Sequence, residues 1–311
     1  MSKNSKIFFN KGTLWQDIVQ KTQQALDTGA LLSYPTDHEF VEDRGIRFLV
    51  RILTSLQLKD AAKQNSLEDY SASEKAVNPF LPYDERLFVA DISETHVALL
   101  NKFNVVEYHL LIVTRHFEKQ ETLLTLQDFT ALWACMSEYN GLGFYNGGDA
   151  AGASQPHKHL QIVPLPLFSE GPEIPIEPLL TGVSSEERLS IISGFPFLHV
   201  FARLENDIMA SPSNAARRTF ELYSAMLSHA CLESPSSNAI KIQSAPYCLL
   251  ITRKWMLLIP RFKEFFDSIS INSLAFAGSF FVRNKEQMDT LKKYGPMTAL
   301  NSVALPFPNK D

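Results

Sequence analysis

Two histidines and a glutamine occupy alternate positions near the middle of the chain, in the segment HKHLQIV. If this segment forms a strand, His157, His159 and Gln161 lie on one face, roughly 6.5–7 Å apart, because residues two apart point the same way. Leu160 and Ile162 then face the opposite side and enter a core. Because a neutral imidazole is a good nucleophile near pH 7, the polar face carries a candidate for covalent chemistry.

A glycine-rich turn directly precedes this strand. Gly147, Gly148 and Gly152 permit tight backbone turns in which N–H groups converge on an anion. Taken alone, an H-x-H pair is more often a polar strand face or a chance metal pair than a catalytic site. Beside this turn and the pair Ser154 and Gln155, the polar triplet instead favours a nucleotide-binding phosphoryl site.

The H-x-H-x-Q segment resembles the motif of the transferase branch of the histidine-triad superfamily. That branch includes galactose-1-phosphate uridylyltransferase and diadenosine tetraphosphate phosphorylase, also called ATP adenylyltransferase. Three further segments are similar to the phosphorylase family, namely LNKFNVV at 100–106, YNGG at 145–148 and INSLAFAG at 271–278. The resemblance extends over roughly positions 45–300. It implies a histidine-triad-like α+β fold and reversible phosphorolysis of diadenosine tetraphosphate to ATP and ADP through a covalent adenylyl-histidine.

The resemblance implies a role for each member of the triplet. His159 is the nucleophile that attacks the α-phosphorus and expels ADP or ATP, and His157 contacts phosphate oxygens or orients the site. Gln161 occupies the position at which the hydrolase branch has a third histidine. A glutamine amide hydrogen-bonds phosphate but is no base near neutral pH. Because orthophosphate is already an anion whereas water needs deprotonation, Gln161 favours transfer to phosphate over hydrolysis.

The same resemblance implies a set of substrate-binding residues. Gly152, Ala153, Ser154 and Gln155 would cradle the phosphates through backbone and side-chain donors, and Asn146 would reach ribose or phosphate. The other implied contacts are Lys59, Asn101, Lys102, Asn272, Ser273, Leu274, Ser279 and Arg283. From the sequence alone, the two lysines are also compatible with solvated surface charges.

Three positions near the C-terminus depart from the family pattern. Ala275 replaces a common glycine, and Ser279 and Arg283 stand where other members have Met and Lys. Arginine retains the charge of lysine but changes the hydrogen-bond geometry. The sequence therefore differs from the family at the nucleotide end of the implied site.

The elements that position these residues are predicted from apolar spacing and turn residues. Helices are predicted over 13–25, from a T-x-x-D start at 125, over 215–231 and over 284–294. Strands are predicted at 48–53, 87–91, 96–101, 105–114, 142–145, 157–163, 198–204, 247–252 and 255–260. Runs of strands separated by single helices predict an α+β fold, an antiparallel sheet with packed helices.

The length of 311 residues is compatible with one large domain or two small ones. Five prolines mark an irregular connector in the middle of the chain: Pro164, Pro166, Pro172, Pro175 and Pro178. We interpret 1–311 as a single histidine-triad-like adenylyltransferase domain. Its sequence halves, about 1–165 and 180–311, are joined by this connector.

Composition excludes several other classes of protein. With 29 basic and 34 acidic residues, the net charge of −5 is a poor footprint for polymeric nucleic acid. Cys135, Cys231 and Cys248 form no C-x-x-C pair, so neither a zinc cluster nor a disulfide scaffold is expected, and a reducing cytoplasm suits them. No segment approaches the roughly 18 consecutive apolar residues of a membrane span. We expect a cytoplasmic protein that binds neither nucleic-acid polymers nor membranes.

The implied ligands are a dinucleoside polyphosphate, ATP, ADP and orthophosphate. Magnesium is expected to accompany the polyphosphate without a protein metal site, and no organic cofactor is implied. Three alternatives stay open: a catalytically silent dinucleotide-binding sensor, a uridylyltransferase-like nucleotidyltransferase, and a metalloprotein that uses His157, His159 and another histidine. Lys158 stands where the uridylyltransferases have proline. His109 lies on an apolar strand, for which packing in the core is favoured over support of the site.

Overall fold

The computed structural model describes residues 6–34, 36–53, 78–183, 187–205, 208, 211–233 and 241–308. Its helices are α1 (Leu14–Asp27), α2 (Leu126–Met136), α3 (Glu177–Leu180), α4 (Pro212–His229), α5 (Ser273–Phe276), α6 (Lys285–Tyr294) and α7 (Pro296–Asn301), with a 3₁₀ turn at Asp149–Ala151. Its strands are β1 (Leu32–Ser33), β2 (Thr36–Asp43), β3 (Ile46–Leu53), β4 (Phe88–Asp91), β5 (His96–Leu100), β6 (Phe103–Asn104), β7 (Leu110–Thr114), β8 (Gly141–Gly147), β9 (His159–Pro164), β10 (Val200–Arg203), β11 (Tyr247–Ile251), β12 (Trp255–Pro260), β13 (Phe265–Phe266), β14 (Ile269–Ser270) and β15 (Ser279–Val282).

An eight-stranded sheet forms the centre of the fold. Its strand order is β10-β12-β11-β8-β9-β7-β5-β4, and every neighbouring pair is antiparallel. The sheet is continuous across the two sequence halves, because β8 pairs with β9 on one side and with β11 on the other. The α+β prediction is confirmed. The single-domain interpretation stays a prediction.

In the described ranges of the chain, three smaller sheets accompany the central one. β15 pairs parallel to β3, which pairs antiparallel to β2, and two-stranded sheets join β1 to β6 and β13 to β14. The predicted meander is confirmed for β4, β5 and β7, which are neighbours in the central sheet. The predicted hairpin is confirmed as β11 and β12. No helix in the described part of the chain is long and apolar enough to cross a membrane.

The two predicted strands that carry His109 and the H-x-H-x-Q segment begin later than expected. The strand predicted over 105–114 begins at Leu110, because the chain turns at Tyr108 with a positive φ of 58°. The strand predicted over 157–163 begins at His159, and His157 forms only an isolated bridge with Lys119. The period-two argument therefore applies to His159 and Gln161 but does not extend back to His157.

The two faces of the central sheet are covered by different layers. α1, α2 and α4 pack on the face that carries Leu160 and Ile162, as the alternation in β9 predicts. Trp133 of α2 is fully buried, and its Nε1 donates to Thr219 Oγ1 of α4 at 2.7 Å. The small sheet β15-β3-β2 and the helices α5–α7 belong to the core cluster on the other side. His159 and Gln161 thus point away from the helical layer formed by α1, α2 and α4.

A buried ion pair anchors Lys158, the residue before β9, to α2. Thr125 and Asp128 form the predicted capping box at the start of α2. Asp128 also accepts from Lys158 Nζ at 2.7 Å and lies 3.0 Å from His96 Nε2, with the Lys158 and Asp128 side chains 0% and 1% exposed. Burial alone would raise the pKa of Asp128, but Lys158 and His96 hold it below its usual range. Lys158 therefore holds the backbone between His157 and His159 against the helical layer, on the side of the sheet opposite His159.

We expect Lys158→Met to lower the free energy of unfolding by about 3–5 kcal/mol, because it leaves the buried Asp128 carboxylate without its cation. The double variant Lys158→Met/Asp128→Asn should lose less than the single variant, since asparagine removes that charge and still reaches His96. Denaturant unfolding of the wild type, both single variants and the double variant measures the coupling. Strictly additive losses would show that the two groups do not stabilise one another.

Candidate active site

His159 is the first residue of β9, and one nitrogen of its ring is hydrogen-bonded to the backbone. Its Nδ1 lies 2.8 Å from the backbone oxygen of His157, so Nδ1 carries the hydrogen and donates it to that carbonyl. Nε2 keeps its lone pair. Burial lowers the pKa of His159 to about 4, against the raising effect of that carbonyl. At neutral pH the ring is therefore uncharged and has a free nucleophilic nitrogen.

His157 has a different environment from the one that the strand pattern predicts. It is fully buried, its Nε2 donates to the Thr114 carbonyl at 2.9 Å, and its Nδ1 accepts from Asn78 Nδ2 at 3.0 Å. Phe80 and Phe117 contact its ring edge-on. Both ring nitrogens are engaged within the protein, which favours the orienting role over direct contact with phosphate.

Two cavities meet beside Gln161. The first has a volume of about 410 Å³ and the second about 460 Å³. His159 lines only the first, whereas Asn101, Ser154 and Gln161 line both. The three shared residues therefore form the junction through which a ligand with two large ends would pass.

The first cavity combines an apolar wall with polar groups around His159. Phe80, Tyr83, Leu99 and Leu111 contribute the apolar side chains. The predicted site residues that line this cavity are Asn101, Lys102, Ser154, Gln155, His159 and Gln161. Such a cavity offers an apolar surface to a planar base and donors to phosphate oxygens.

The second cavity is built from both sequence halves. Its predicted site residues are Asn101, Asn146, Gly152, Ala153, Ser154, Gln161, Asn272, Leu274 and Arg283. Lys102 at the first cavity and Arg283 at the second are the basic members of the predicted set in these walls. A cation is thus available at each end of the junction.

Gly152 is required where the two halves approach each other. Its φ of +88° lies in the left-handed region, and an added Cβ would lie 2.9 Å from Asn272 Cβ and 3.0 Å from Ile271 O. A side chain there would displace the turn that begins α5. The glycine therefore allows the loop before β9 to lie directly against the C-terminal half.

Two of the predicted substrate contacts serve the scaffold instead. Ser273 is fully buried, and its Oγ and backbone N lie 2.6 and 2.9 Å from Asn146 Oδ1, which ties α5 to β8. Ser279 is 1% exposed and accepts from Arg51 Nη1 at 2.6 Å. Neither residue lines the two cavities, because these contacts turn their side chains into the protein. Lys59 lies outside the described residues.

His109 lines the second cavity, although its apolar strand favoured packing in the core. Asn101 Nδ2 lies 3.2 Å from its Nδ1 and donates to it, so the hydrogen is on Nε2. Burial lowers the pKa of His109 to about 4, while the nearby Gln161 side chain raises it. Among the described residues, His109 Nε2 has no partner that meets the distance and angle of a hydrogen bond. The Gln161 side chain lies near this ring without forming one.

Gln120 is a residue of the site that the sequence analysis did not single out. Its side chain is buried and hydrogen-bonds the backbone of both His159 and Asn146. No local pattern marks it, because Gln120 precedes His159 by 39 positions in the chain. Only the folded chain places its amide beside His159.

Comparisons with known proteins agree with this architecture. The family model of the Ap4A phosphorylase N-terminal domain matches residues 4–182, and that of the ATP adenylyltransferase C-terminal domain matches residues 193–306. Diadenosine 5',5'''-P1,P4-tetraphosphate phosphorylase 2 of Saccharomyces cerevisiae is 26% identical over 285 residues, 85% of this chain and 84% of the relative. Protein APA1 of the same yeast is 25% identical over 238 residues, 70% of each chain.

The fold is also that of a solved structure. The crystal structure of yeast Ap4A phosphorylase Apa2 in complex with Ap4A aligns with a TM-score of 0.76 at 22% identity, covering 98% of this chain and 100% of that one. The structure of the same yeast protein in complex with AMP aligns with a TM-score of 0.74 at 23% identity. These alignments show a shared fold.

We expect the imidazole of His159 to titrate near pH 4, well below an ordinary histidine, because burial disfavours its charged form. A ¹⁵N NMR titration of labelled protein measures this, with His159→Gln identifying the resonance. Since the unfolded chain binds this proton near pH 6.5, the free energy of unfolding should fall as the pH drops from about 6.5 to about 4. Titration of the His159 ring near pH 6.5 would contradict the prediction.

Proposed function

The chain belongs to the Ap4A phosphorylase and ATP adenylyltransferase family, and we propose on this premise that it cleaves diadenosine tetraphosphate by phosphorolysis to ATP and ADP. The adenylyl group is carried between the two steps by His159. The observation that supports this most directly is the state of that residue. Its Nδ1 is tied to the His157 carbonyl, its pKa lies near 4, and it lines a cavity with polar donors.

In the first step, His159 Nε2 attacks the α-phosphorus of the dinucleotide. A P–N bond forms, the P–O bond to the bridging oxygen breaks, and ATP leaves as an anion. The ring gains positive charge as this bond forms, and the Nδ1 hydrogen bond to the His157 carbonyl becomes stronger as it does. The carbonyl therefore stabilises the transition state more than the ground state.

In the second step, an oxygen of orthophosphate attacks the phosphorus of adenylyl-His159. The P–N bond breaks, the neutral imidazole is restored and ADP is released. Phosphate needs no deprotonation by the protein because it is anionic at neutral pH. Gln161 has no basic group with which to activate water, so hydrolysis of the intermediate is disfavoured.

Two cavities suit a substrate with two nucleoside ends. We assign the adenosine of the transferred half to the first cavity, because His159 lines that cavity and not the second. The other nucleotide extends past the junction at Asn101, Ser154 and Gln161 into the second cavity. Donors from Ser154 and Gln161 would bind the phosphate oxygens at which negative charge develops.

Magnesium belongs to the substrate in this proposal. The tetraphosphate chain carries several negative charges, and Lys102 and Arg283 are the two basic residues of the predicted site that line the cavities. Mg²⁺ bound to phosphate oxygens neutralises part of that charge and dehydrates reluctantly, so it need not have protein ligands.

We place the reaction in the cytoplasm. Cys135 and Cys248 are buried free thiols, and Cys231 is an exposed free thiol. Separated free cysteines are typical of proteins in a reducing compartment. ATP, ADP and orthophosphate are plentiful in that compartment.

The first prediction of this function concerns the acceptor. Incubation with diadenosine tetraphosphate should give ATP and ADP only when orthophosphate is present, because Gln161 cannot activate water. Ion-exchange separation of the nucleotides measures this, and ³²P-orthophosphate should enter ADP. Release of ATP and AMP at the same rate without phosphate would identify a hydrolase.

The second prediction concerns the nucleophile. With substrate labelled in both α-phosphates, the wild type should retain an acid-labile, base-stable label, as a phosphoramidate does. His159→Ala should abolish label and turnover, whereas His157→Ala should slow turnover and still label, because His157 only positions the strand. His229→Ala on the exposed end of α4 is the control and should behave as wild type. Label that survives loss of His159 but disappears with His157 would reverse the assignment.

A further inference from the structure

The ladder between β8 and β9 ends before it reaches the nucleophile. The register runs from Gly141 opposite Pro164 to Phe144 opposite Gln161. Continued by two residues, the same register would place Asn146 opposite His159. The strands separate there, so the backbone groups of these two residues need other partners.

The side-chain amide of Gln120 supplies those partners. Its Oε1 accepts from the His159 backbone N at 2.9 Å, and its Nε2 lies 2.9 Å from the Asn146 oxygen and 3.2 Å from the His159 oxygen. One amide therefore bonds the backbone on both sides of the nucleophile and bridges to the neighbouring strand. It acts as a short substitute for the missing part of the ladder.

Gln120 is itself held firmly at its backbone. Its N donates to the Pro156 oxygen at 2.8 Å, and the Tyr145 hydroxyl donates to its carbonyl. One residue earlier, Lys119 forms the bridge to His157. The Gln120 side chain is 1% exposed in total, so water does not compete for its hydrogen bonds. The position of the amide is thus fixed at its backbone by β8, through Tyr145, and by the loop before β9, through Pro156.

The two residues that it joins lead to different cavities. His159 lines the first cavity, and Asn146 lines the second, where its side chain also holds Ser273 at the start of α5. The separation of β8 and β9 at this point therefore sets the distance between the nucleophile and the wall that receives the other end of a substrate.

We propose that Gln120 is a positioning residue for adenylyl transfer, whose side-chain amide replaces the ladder between Asn146 and His159 and fixes His159 Nε2 relative to both cavities. This inference rests on the proposed function. An amide is needed because the site requires one acceptor and two donor contacts. A carboxylate has the same shape but donates no hydrogen bond, and a thioether is a weak acceptor that donates none.

The test uses Gln120→Glu and Gln120→Met, with Gln243→Met as the matched control. Gln243 is also an amide that donates to β8, at the Gly147 oxygen over 2.7 Å, but β9 is not among its hydrogen-bond partners in the described structure. For each purified full-length variant we would measure thermal unfolding, KM, and the single-turnover rate of adenylyl-histidine formation from substrate labelled in the α-phosphates. Gln120→Met keeps the test open if the buried carboxylate prevents Gln120→Glu from folding.

We expect the Gln120 variants to form adenylyl-histidine roughly 100-fold more slowly per folded molecule, because a misplacement of about 1 Å costs that much, with KM changed little. Gln243→Met should lose thermal stability and keep the wild-type rate. A merely structural role would lower the melting temperature of all variants and leave the rate per folded molecule unchanged, which overturns the inference. A higher KM at an unchanged rate would overturn it as well. A wild type that forms no label would overturn the proposed function, and this inference with it.

Discussion

The ion pair between Lys158 and Asp128 determines how the central segment of the chain is arranged. Lys158 stands between two histidines and is fully buried, with its ammonium 2.7 Å from the Asp128 carboxylate at the start of α2. A buried charge is strongly destabilising without its partner, so the Lys158 side chain must face the helical layer that carries Asp128. His159 is then directed to the other face of the sheet, where the walls of its cavity come from residues 79–161.

Burial also keeps the histidines of this site uncharged at neutral pH. His159 and His109 both have a pKa lowered to about 4, and the neighbouring donors are amides, hydroxyls and backbone groups. A neutral His159 ring lacks the electrostatic attraction to an anion that a protonated ring would have, but the lone pair of its Nε2 is available at neutral pH. The basic residues of the predicted site in the cavity walls are Lys102 and Arg283.

The site depends on both halves of the chain because the central sheet is shared between them. β8 and β9 carry the glycine-rich loop and His159, and β11 extends the same sheet into the C-terminal half. Gly152 brings the loop against Asn272, and Asn146 holds Ser273, so the second cavity has walls from both halves. A change in the packing between the halves would alter the second cavity before it altered His159.

The sequence by itself determined the features that depend on neighbours along the chain. The alternation in β9 placed Leu160 and Ile162 in the core and Gln161 on the opposite face, and the spacing of Thr125 and Asp128 marked the start of α2. Strand and helix periods are local, so a reader of the sequence recovers them. Tertiary structure decided the rest. Ser279 is hydrogen-bonded to Arg51, which is 228 positions away in the chain, and Gln120 is hydrogen-bonded to His159, which is 39 positions away. Such contacts depend on which surfaces the fold brings together, and no spacing in the chain encodes them.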